Sequence, residues 1–184
     1  MKLISNRKFA WLVLAVCIAV SIVGFGGGSL AGQRRDAVRV FNDGIDTSFA
    51  VRFSMDAYLE NCAGYAVTMA EEYRLHADAN SETAARALEL AGMIGDGDDL
   101  DSRYNAYRAL CKEIEVLYTD FHLSDIAEDQ QAVFGNAYAN FQGEVSKIKY
   151  DEYHSLASEF NNAREGFPAA AVGGLLGLDP LNTF

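Results

Sequence analysis

Three histidines and many carboxylates raise the question of a metal centre. The histidines are His76, His122 and His154. A di-metal site in a helical bundle requires Glu-x-x-His on two helices, together with two further acids that face inward. Only Asp151 and His154 have a comparable spacing, with Asp in place of Glu. Glu72 lies one helical turn before His76, and such a pair is usually surface electrostatics. We therefore expect no metal ion and no other cofactor.

Four aspartates crowd one glycine-containing loop, where calcium is the ion to consider. They are Asp96, Asp98, Asp99 and Asp101. An EF-hand loop places ligands at positions one, three and five, glycine at position six and glutamate at position twelve. With Asp96 as the first ligand, Leu100 and Asp101 occupy the fifth and sixth positions. The segment 93–101 is therefore predicted to be a solvated loop in which Asp98 or Asp99 caps the next helix.

The sequence lacks the residue patterns that nucleophilic catalysis and phosphate binding need. The chain has no Gly-x-Ser-x-Gly elbow, and neither Cys62 nor Cys111 has a cationic or histidine context. Both cysteines fall at apolar positions of helical patterns, so we expect packed thiols and no disulfide framework. The glycine-rich residues 24–28 precede no phosphate-binding lysine, which argues against a P-loop. These observations predict a protein that is not an enzyme.

The element that would position any site begins with an apolar segment. Residues 9–28 contain no charge, and at about 1.5 Å per residue they form roughly 30 Å of helix, the thickness of a hydrocarbon core. Trp11 can lie at the headgroup level, and cations bracket the segment. These cations are Lys2, Arg7, Lys8, Arg34, Arg35 and Arg39. The sequence predicts a basic tail over 1–8 and a single-pass transmembrane helix over 9–31.

A cleaved signal peptide is the alternative interpretation of the same segment. The Ser-Leu-Ala sequence at 29–31 resembles a secretory cleavage site, and cleavage there would leave a secreted module that begins at Gly32. The apolar run exceeds the roughly 7 to 15 residues of a signal peptide, which favours a retained anchor. A lipoprotein box at Cys17 is disfavoured because Val16 stands where a small residue is usual. Three cations on each side leave the orientation open, and we favour an extracytoplasmic domain.

The charge outside this segment is strongly negative. The chain has a net charge of −11, and its first 32 residues contain three cations and no acids, so the remainder carries −14. Such a surface favours solubility and argues against nucleic acid or anionic lipid as the main partner. We expect a solvated helical surface.

Helical periodicity and low proline predict an all-α domain over 32–168. The only prolines are Pro168 and Pro180, so no helix before them is forced to break. Two segments carry apolar residues at steps of three and four, the pattern of an amphipathic helix. The first contains Val51, Met55, Tyr58, Cys62, Tyr65, Met69 and Tyr73, and the second contains Tyr104, Tyr107, Leu110, Ile114, Leu117 and Phe121. The expected fold is an antiparallel bundle of three to four long helices.

A third pattern predicts one helix over 126–167, about 60 Å long at 1.5 Å per residue. Its apolar positions are Phe134, Tyr138, Phe141, Val145 and Ile148, then Leu156, Phe160, Ala163 and Phe167. The eight-residue step between the two groups resembles a stutter. A joint is expected at 122–125, with Ser124 or Asp125 as the cap, and a possible interruption at 42–44. No strand-like alternation is sustained, so no sheet is predicted.

The last segment, 169–184, begins with ten uncharged residues, too few to span a bilayer. Gly173 and Gly177 form a small-xxx-small pair that allows another helix to approach closely. We expect a short apolar helix that packs on the bundle. A contact with the membrane surface or with another subunit is the alternative.

Residues near the carboxyl end follow a specific order. The order is Tyr153, Phe160-Asn161, Phe167-Pro168, Ala171, Gly177 and Phe184. It resembles the closing pattern of the LemA family, in which two Tyr-Asn pairs and Phe-Pro precede Ala, Gly and Phe. The chain departs from that family at 52–59, where paired arginines and a Leu-Ile-Pro-Asn stretch are usual, and at 144–147. The resemblance therefore indicates a divergent member.

Membership in this family would imply an amino-terminal transmembrane segment, long antiparallel helices and no established catalytic residues. We expect a membrane-anchored helical protein that scaffolds or regulates other membrane proteins. Its partners would be membrane lipid, through the amino-terminal helix, other membrane proteins and a second copy of the chain, with no nucleic acid. The alternative is a secreted or membrane-bound helical module that holds a metal or a small ligand in the bundle core.

Overall fold

The computed structural model describes residues 7–47, 50–51, 53–78, 80–95, 99–124 and 126–184. The chain divides into two compact units. The first unit comprises the chain up to Val38 together with Ser155–Leu181, and the second comprises Arg39–His154 together with Asn182–Phe184. In the described part, eight α-helices account for nearly all of the regular structure. The predicted all-α fold is confirmed.

The amino-terminal helix is continuous from Arg7 to Asp43. It consists of α1 (Arg7–Ser21), a π-helical turn (Ile22–Gly26) and α2 (Gly27–Asp43). The glycine-rich residues 24–28 are therefore helical and do not interrupt the chain between the apolar segment and the rest of α2. The helix ends at Gly44, whose φ of 72° suits glycine and whose N–H donates to Val40 O at 3.0 Å. The interruption considered at 42–44 is confirmed.

Helix α3 (Met55–His76) begins later than its apolar stripe predicts. Ser54 is its N-cap, because its Oγ accepts a hydrogen bond from Ala57 N at 3.1 Å. Val51, the first residue of the predicted stripe, instead lies in a two-residue antiparallel pairing of β1 (Asp46–Thr47) with β2 (Ala50–Val51). This small pairing was not predicted. It leaves the helical fold class unchanged.

Helix α4 (Glu82–Gly95) is separated from α3 by a turn that the sequence did not reveal. Ser81 is buried and its Oγ accepts from Ala84 N at 3.2 Å, which caps α4. The buried face of α4 consists of Ala84, Ala87, Leu90, Ala91 and Ile94. Three of these five residues are alanine, so the apolar periodicity of α4 is weak. The weak pattern explains why the helix was not identified from the sequence.

Helix α5 (Leu100–Leu123) starts where the acidic loop predicted. Asp99 caps it by accepting from Asp101 N at 3.2 Å and Ser102 N at 2.9 Å. The joint after α5 also lies where it was expected. However, Ser124 does not cap the start of the following helix, because its Oγ donates to Asp120 O at 2.9 Å at the end of α5. Asp125, the other predicted cap, lies outside the described residues.

The prediction of one continuous helix over 126–167 is wrong. It is divided into α6 (Glu128–Lys149) and α7 (Tyr153–Arg164). Asp151 Oδ1 accepts from Tyr153 N at 2.9 Å and starts α7, while His154 Nε2 donates to Ile148 O at 2.7 Å near the end of α6. The eight-residue step in the apolar pattern is therefore a break between two helices and not a stutter.

The second unit is an antiparallel bundle in which α3 contacts α4, α5 and α6. Its aromatic centre includes Phe121 and Phe134, whose rings stack at 4.0 Å between centroids. The first unit has a smaller core. It contains Leu30 and Ala37 of α2, Ala157 and Phe160 of α7, and Val172 of α8 (Ala169–Leu175). The predicted short carboxyl-terminal helix is thus present.

Candidate membrane-facing helix and carboxyl-terminal clasp

Most of the apolar part of the amino-terminal helix is uncovered by protein. Its most apolar 18-residue window has a mean hydropathy of 2.5, and none of that window is buried. Trp11 is 64% exposed, Val20 65% and Phe25 82%. The one hydroxyl among these residues, Ser21 Oγ, donates to Cys17 O at 2.8 Å, so it has a partner inside its own helix. This helix is long and apolar enough to cross a membrane, and a signal sequence would meet the same test.

The predicted flanking residues lie towards the two ends of this apolar helix. Arg7 starts α1 and is exposed, as is Trp11 one turn later. The side chain of Lys8 lies outside the described part. Beyond the apolar window, Arg35 is exposed, whereas Arg34 is half-buried and its Nε meets no hydrogen-bond partner in the described part of the protein. The described cations and Trp11 thus lie outside or near the ends of the apolar window.

Helix α8 packs on the amino-terminal helix at Gly27. A Cβ at this position would lie 2.6 Å from Leu176 Cδ1 and 3.3 Å from Val172 Cγ1. Helix α8 also contacts the π-helical turn Ile22–Gly26. The glycine makes this contact possible because any larger side chain would occupy the space of Leu176. The apolar carboxyl-terminal segment therefore docks on the apolar helix.

The two glycines predicted to allow this approach have other roles. Gly173 faces Arg164, because a Cβ there would lie 3.1 Å from Arg164 Nε. Gly177 has a φ of 63° and terminates α8. The N–H of Leu178 then donates to Gly173 O at 2.9 Å, the closing bond of a Schellman motif. The glycine that allows the close approach of another helix is thus Gly27, and not the predicted pair Gly173 and Gly177. No sequence motif had identified Gly27 for this role.

An open groove lies beside this contact, within the first unit. Its volume is about 210 Å³. The lining is mostly apolar and includes Ile22, Gly26, Leu30, Ala163, Pro168 and Val172. Phe167, the last apolar position of the helix predicted over 126–167, is instead 90% exposed. Helix α7 stops at Arg164, before the chain reaches Phe167.

Asn161 holds the backbone of the carboxyl-terminal segment in the first unit. Its Nδ2 donates to Leu181 O at 2.8 Å, and its Oδ1 accepts from Leu181 N at 2.9 Å. The side-chain amide thereby satisfies both polar groups of a residue that is 5% exposed. Phe160, the neighbouring motif residue, is completely buried. We call the Asn161 and Leu181 pair the clasp.

Phe184 lies among aromatic rings of the second unit. Its ring centroid is 5.2 Å from that of Tyr104, in an edge-on arrangement, and 5.7 Å from that of Phe41. Tyr107 and Tyr153 complete the cluster at 6.0 Å and 6.2 Å. Such offset and edge-on pairs add to the free energy gained by burying the rings. The last residue of the chain is therefore part of a core.

Two further hydrogen bonds hold the same end of the chain in the second unit. Tyr153 is fully buried, and its hydroxyl donates to Asn182 O at 2.9 Å. Asn182 Nδ2 donates to Asp101 Oδ1, a carboxylate of the acidic loop. Arg103, nearby in α5, lies over the Phe41 ring at 5.6 Å and forms a close ion pair with Asp56. This ion pair and Phe41 were not identified from the sequence because their partners are distant along the chain.

The thiols of the bundle are buried rather than activated. Cys62 is fully buried, and burial raises the pKa of its thiol well above the ordinary value of 9.0. Burial also raises the pKa of the Cys111 thiol, to about 11. A reactive cysteine would need the opposite shift, because the thiolate is the nucleophile. The prediction of packed thiols is confirmed for Cys62, while Cys111 is half-buried.

Several of the carboxylates and histidines that drew attention in the sequence have structural partners, whereas Asp96 and Asp98 lie outside the described residues. Asp151 and His154 form the hydrogen bonds of the α6–α7 joint, and Asp99 caps α5. Glu72 and His76 pair along α3 at 3.3 Å. Among the residues that the structure describes, no three His, Cys, Asp or Glu side chains are grouped as metal ligands would be.

The residues that resemble the LemA closing pattern thus lie in several environments. Tyr153 and Phe184 meet in one aromatic cluster, and Asn161 forms the clasp beside the buried Phe160. Pro168 lines the groove and Gly177 ends α8, whereas Phe167 is exposed. No protein-family model, curated protein or solved structure matches this chain.

Proposed function

We propose that this protein is a LemA-like, membrane-anchored helical protein that scaffolds or regulates other membrane proteins without catalysing a reaction. The observation that carries the proposal is the uncovered apolar helix, because none of its most apolar 18-residue window is buried, and large contiguous apolar surfaces mark contact sites. The proposed surface for partners is the helical bundle of the second unit. Its negative charge is expected to suit a basic partner surface.

Retention of the amino-terminal helix is favoured by the packing around the candidate cleavage site. That site, at 29–31, lies within the continuous helix α2. Leu30 is 5% exposed, and Gly27 contacts Val172 and Leu176 of the carboxyl-terminal segment. Cleavage before Gly32 would remove this packing surface and expose the apolar side of α8. A chain adapted to cleavage would not need such a contact.

The anchor is tested by expressing the full chain, sequencing its mature amino terminus and washing the membranes with alkaline carbonate. We expect the protein to stay in the membrane pellet and to begin before Gly32. Val16→Arg, in the middle of the apolar segment, should release protein, since a central arginine costs roughly 2.5–3.5 kcal/mol of insertion free energy. Leu75→Arg, at an exposed position of α3, is the matched control and should stay with the membrane.

Two results would contradict the anchor: an amino terminus at Gly32, or release of the unmodified chain by carbonate. The interaction role is tested separately by crosslinking intact membranes and purifying the tagged protein. We expect crosslinked species that contain other membrane proteins or a second copy of the chain. Recovery of the uncrosslinked monomer alone would reject the scaffold role while leaving the anchor intact.

A further inference from the structure

Three large apolar side chains of the carboxyl-terminal segment are exposed in the first unit. Phe167 is 90% exposed, Leu175 72% and Leu176 45%. No charged residue lies between Glu165 and Asp179. A short uncharged segment that exposes several large apolar side chains is a typical site of contact with an apolar environment.

The packing of α8 indicates which environment that is. Helix α8 contacts the π-helical turn Ile22–Gly26 and Gly27, and these residues belong to the apolar segment itself. At 1.5 Å per residue, Ile22 lies about 9 Å before the end of that segment at Gly28. In a bilayer spanned by residues 9–28, a helix docked at this level would lie where the apolar helix leaves the hydrocarbon core.

The dimensions and the polar boundary of the segment agree with this placement. Seven residues of α8 make a helix of about 10 Å, far too short to cross a bilayer. The half-buried Arg164 packs beside α8. A basic side chain next to an apolar segment is typical of the boundary between acyl chains and headgroups.

We propose that the segment from Phe167 to Leu176 is an interfacial element that inserts its exposed apolar side chains into the leaflet where the anchor ends. This inference rests on the proposed membrane anchor. The segment would be a second lipid contact of the protein, and its depth in the leaflet would be set by its packing against Gly27. The expected depth is ~5–10 Å below the headgroup boundary, as for other interfacial helices.

Tryptophan fluorescence in vesicles tests the depth, because the chain contains a single tryptophan, Trp11. In a Trp11→Phe background, Leu175→Trp places a reporter on α8 in the full-length protein. The vesicles are made of phosphatidylcholine that is unmodified, brominated near the headgroup end of the acyl chains, or brominated near the chain terminus. We expect bromination near the headgroup end to cause the largest loss of Leu175→Trp emission, and the unmodified vesicles to give a blue-shifted spectrum.

The matched control is Leu75→Trp in the same background. Leu75 is 74% exposed, close to the exposure of Leu175, but its neighbours in the sequence are Arg74 and His76. Charged neighbours oppose insertion, so its emission should change little with bromination. Phe167→Trp provides a second reporter on the same segment if Leu175→Trp does not fold.

A measurement of Trp11 emission in the unmodified chain distinguishes failure of this inference from failure of the proposed anchor. Emission of Trp11 should be quenched by brominated lipid if the amino-terminal helix is inserted. If Trp11 is quenched but both carboxyl-terminal reporters are unaffected, the interfacial placement is overturned and the anchor stands. If Trp11 is not quenched either, the anchor itself is rejected and the inference falls with it.

Discussion

At the scale of single residues, Asn161 shows how one side chain can fix a chain end. Both polar atoms of its amide are used on one backbone residue, at 2.8 Å and 2.9 Å. Leu181 is buried, so water cannot easily replace the amide. The next residue, Asn162, is also an asparagine, but its side chain is exposed. A comparison of the two residues therefore separates the effect of position from the effect of residue type.

Asn161→Ala should destabilise the protein by about 1–3 kcal/mol, because it leaves a buried N–H and a buried carbonyl without partners. Asn162→Ala should change stability by less than about 0.5 kcal/mol, as is usual for an exposed position. Urea unfolding of the full chain in detergent micelles measures both values. Equal effects of the two variants would show that the clasp contributes nothing specific.

The buried thiols give the second residue-scale prediction, a loss of stability at alkaline pH. The folded pKa of Cys62 and of Cys111 is raised above the ordinary 9.0, for Cys111 to about 11. Below pH 9 both states keep the thiols protonated, so stability is fully present. Above it the unfolded chain loses protons first, and stability falls by about 1 kcal/mol per thiol for each pH unit.

This fall is measured as the decrease of the urea midpoint between about pH 8 and pH 10. Cys62→Ala is the comparison, because it removes one of the two thiols while tyrosines and lysines still titrate. Its midpoint should decrease less steeply than that of the parent chain. Parallel decreases in both proteins would show that the Cys62 thiol does not contribute.

At the scale of elements, the contact between α8 and the amino-terminal helix depends on the absence of a side chain at Gly27. The next residue in the same helix, Gly28, is also a glycine. A Cβ at Gly27 would collide with Leu176, whereas a Cβ at Gly28 would meet nothing within 4 Å. The contact of α8 with the amino-terminal helix is therefore specific to one face.

Gly27→Leu should destabilise the contact of α8 by about 1–3 kcal/mol, the usual cost of overpacking. Trypsin provides a local readout, because Arg164 packs against Gly173 of α8 and should be cleaved faster when α8 is displaced. Gly28→Leu should leave the rate of cleavage after Arg164 unchanged. A similar acceleration in both variants would attribute the effect to the added leucine rather than to the contact.

At the scale of the whole molecule, the last residue of the chain contributes to the core of the second unit. Phe184 is half-buried and contacts four aromatic rings, and Asn182 is held by Tyr153 and Asp101. These contacts join Phe184 and Asn182 to residues far away along the chain. Phe184 should therefore matter for the stability of the whole second unit.

Phe184→Ala should lower the free energy of unfolding by about 2–3 kcal/mol, less than for a fully buried phenylalanine because the ring is half-buried. Phe53→Ala is the control, since Phe53 is 66% exposed, and it should cost less than about 0.5 kcal/mol. Urea unfolding monitored by tyrosine fluorescence compares the two. A Phe184→Ala cost no larger than that of the control would mean that the aromatic cluster does not need its terminal ring.

Several features of the fold could be predicted from the sequence because they depend on local properties. The apolar helix was predictable from length and composition, which need no tertiary contacts. The α5 helix was predictable from its 3.6-residue periodicity, and its start from the capping ability of Asp99. For α4 the same method failed, since a face composed mainly of alanine gives little periodic contrast.

The candidate sites depended on tertiary structure, because a pattern shows that a side chain is apolar but not what covers it. Phe167 and Phe184 look alike in the sequence, yet one is 90% exposed and the other packs among four rings. Gly27 could not be chosen from the glycines of 24–28 without knowing where Leu176 lies. The sequence by itself determined the apolar segment and the helical class, which are set within a few turns of one chain segment. Only the folded chain decided which residues hold the carboxyl terminus, since those contacts join positions far apart in sequence.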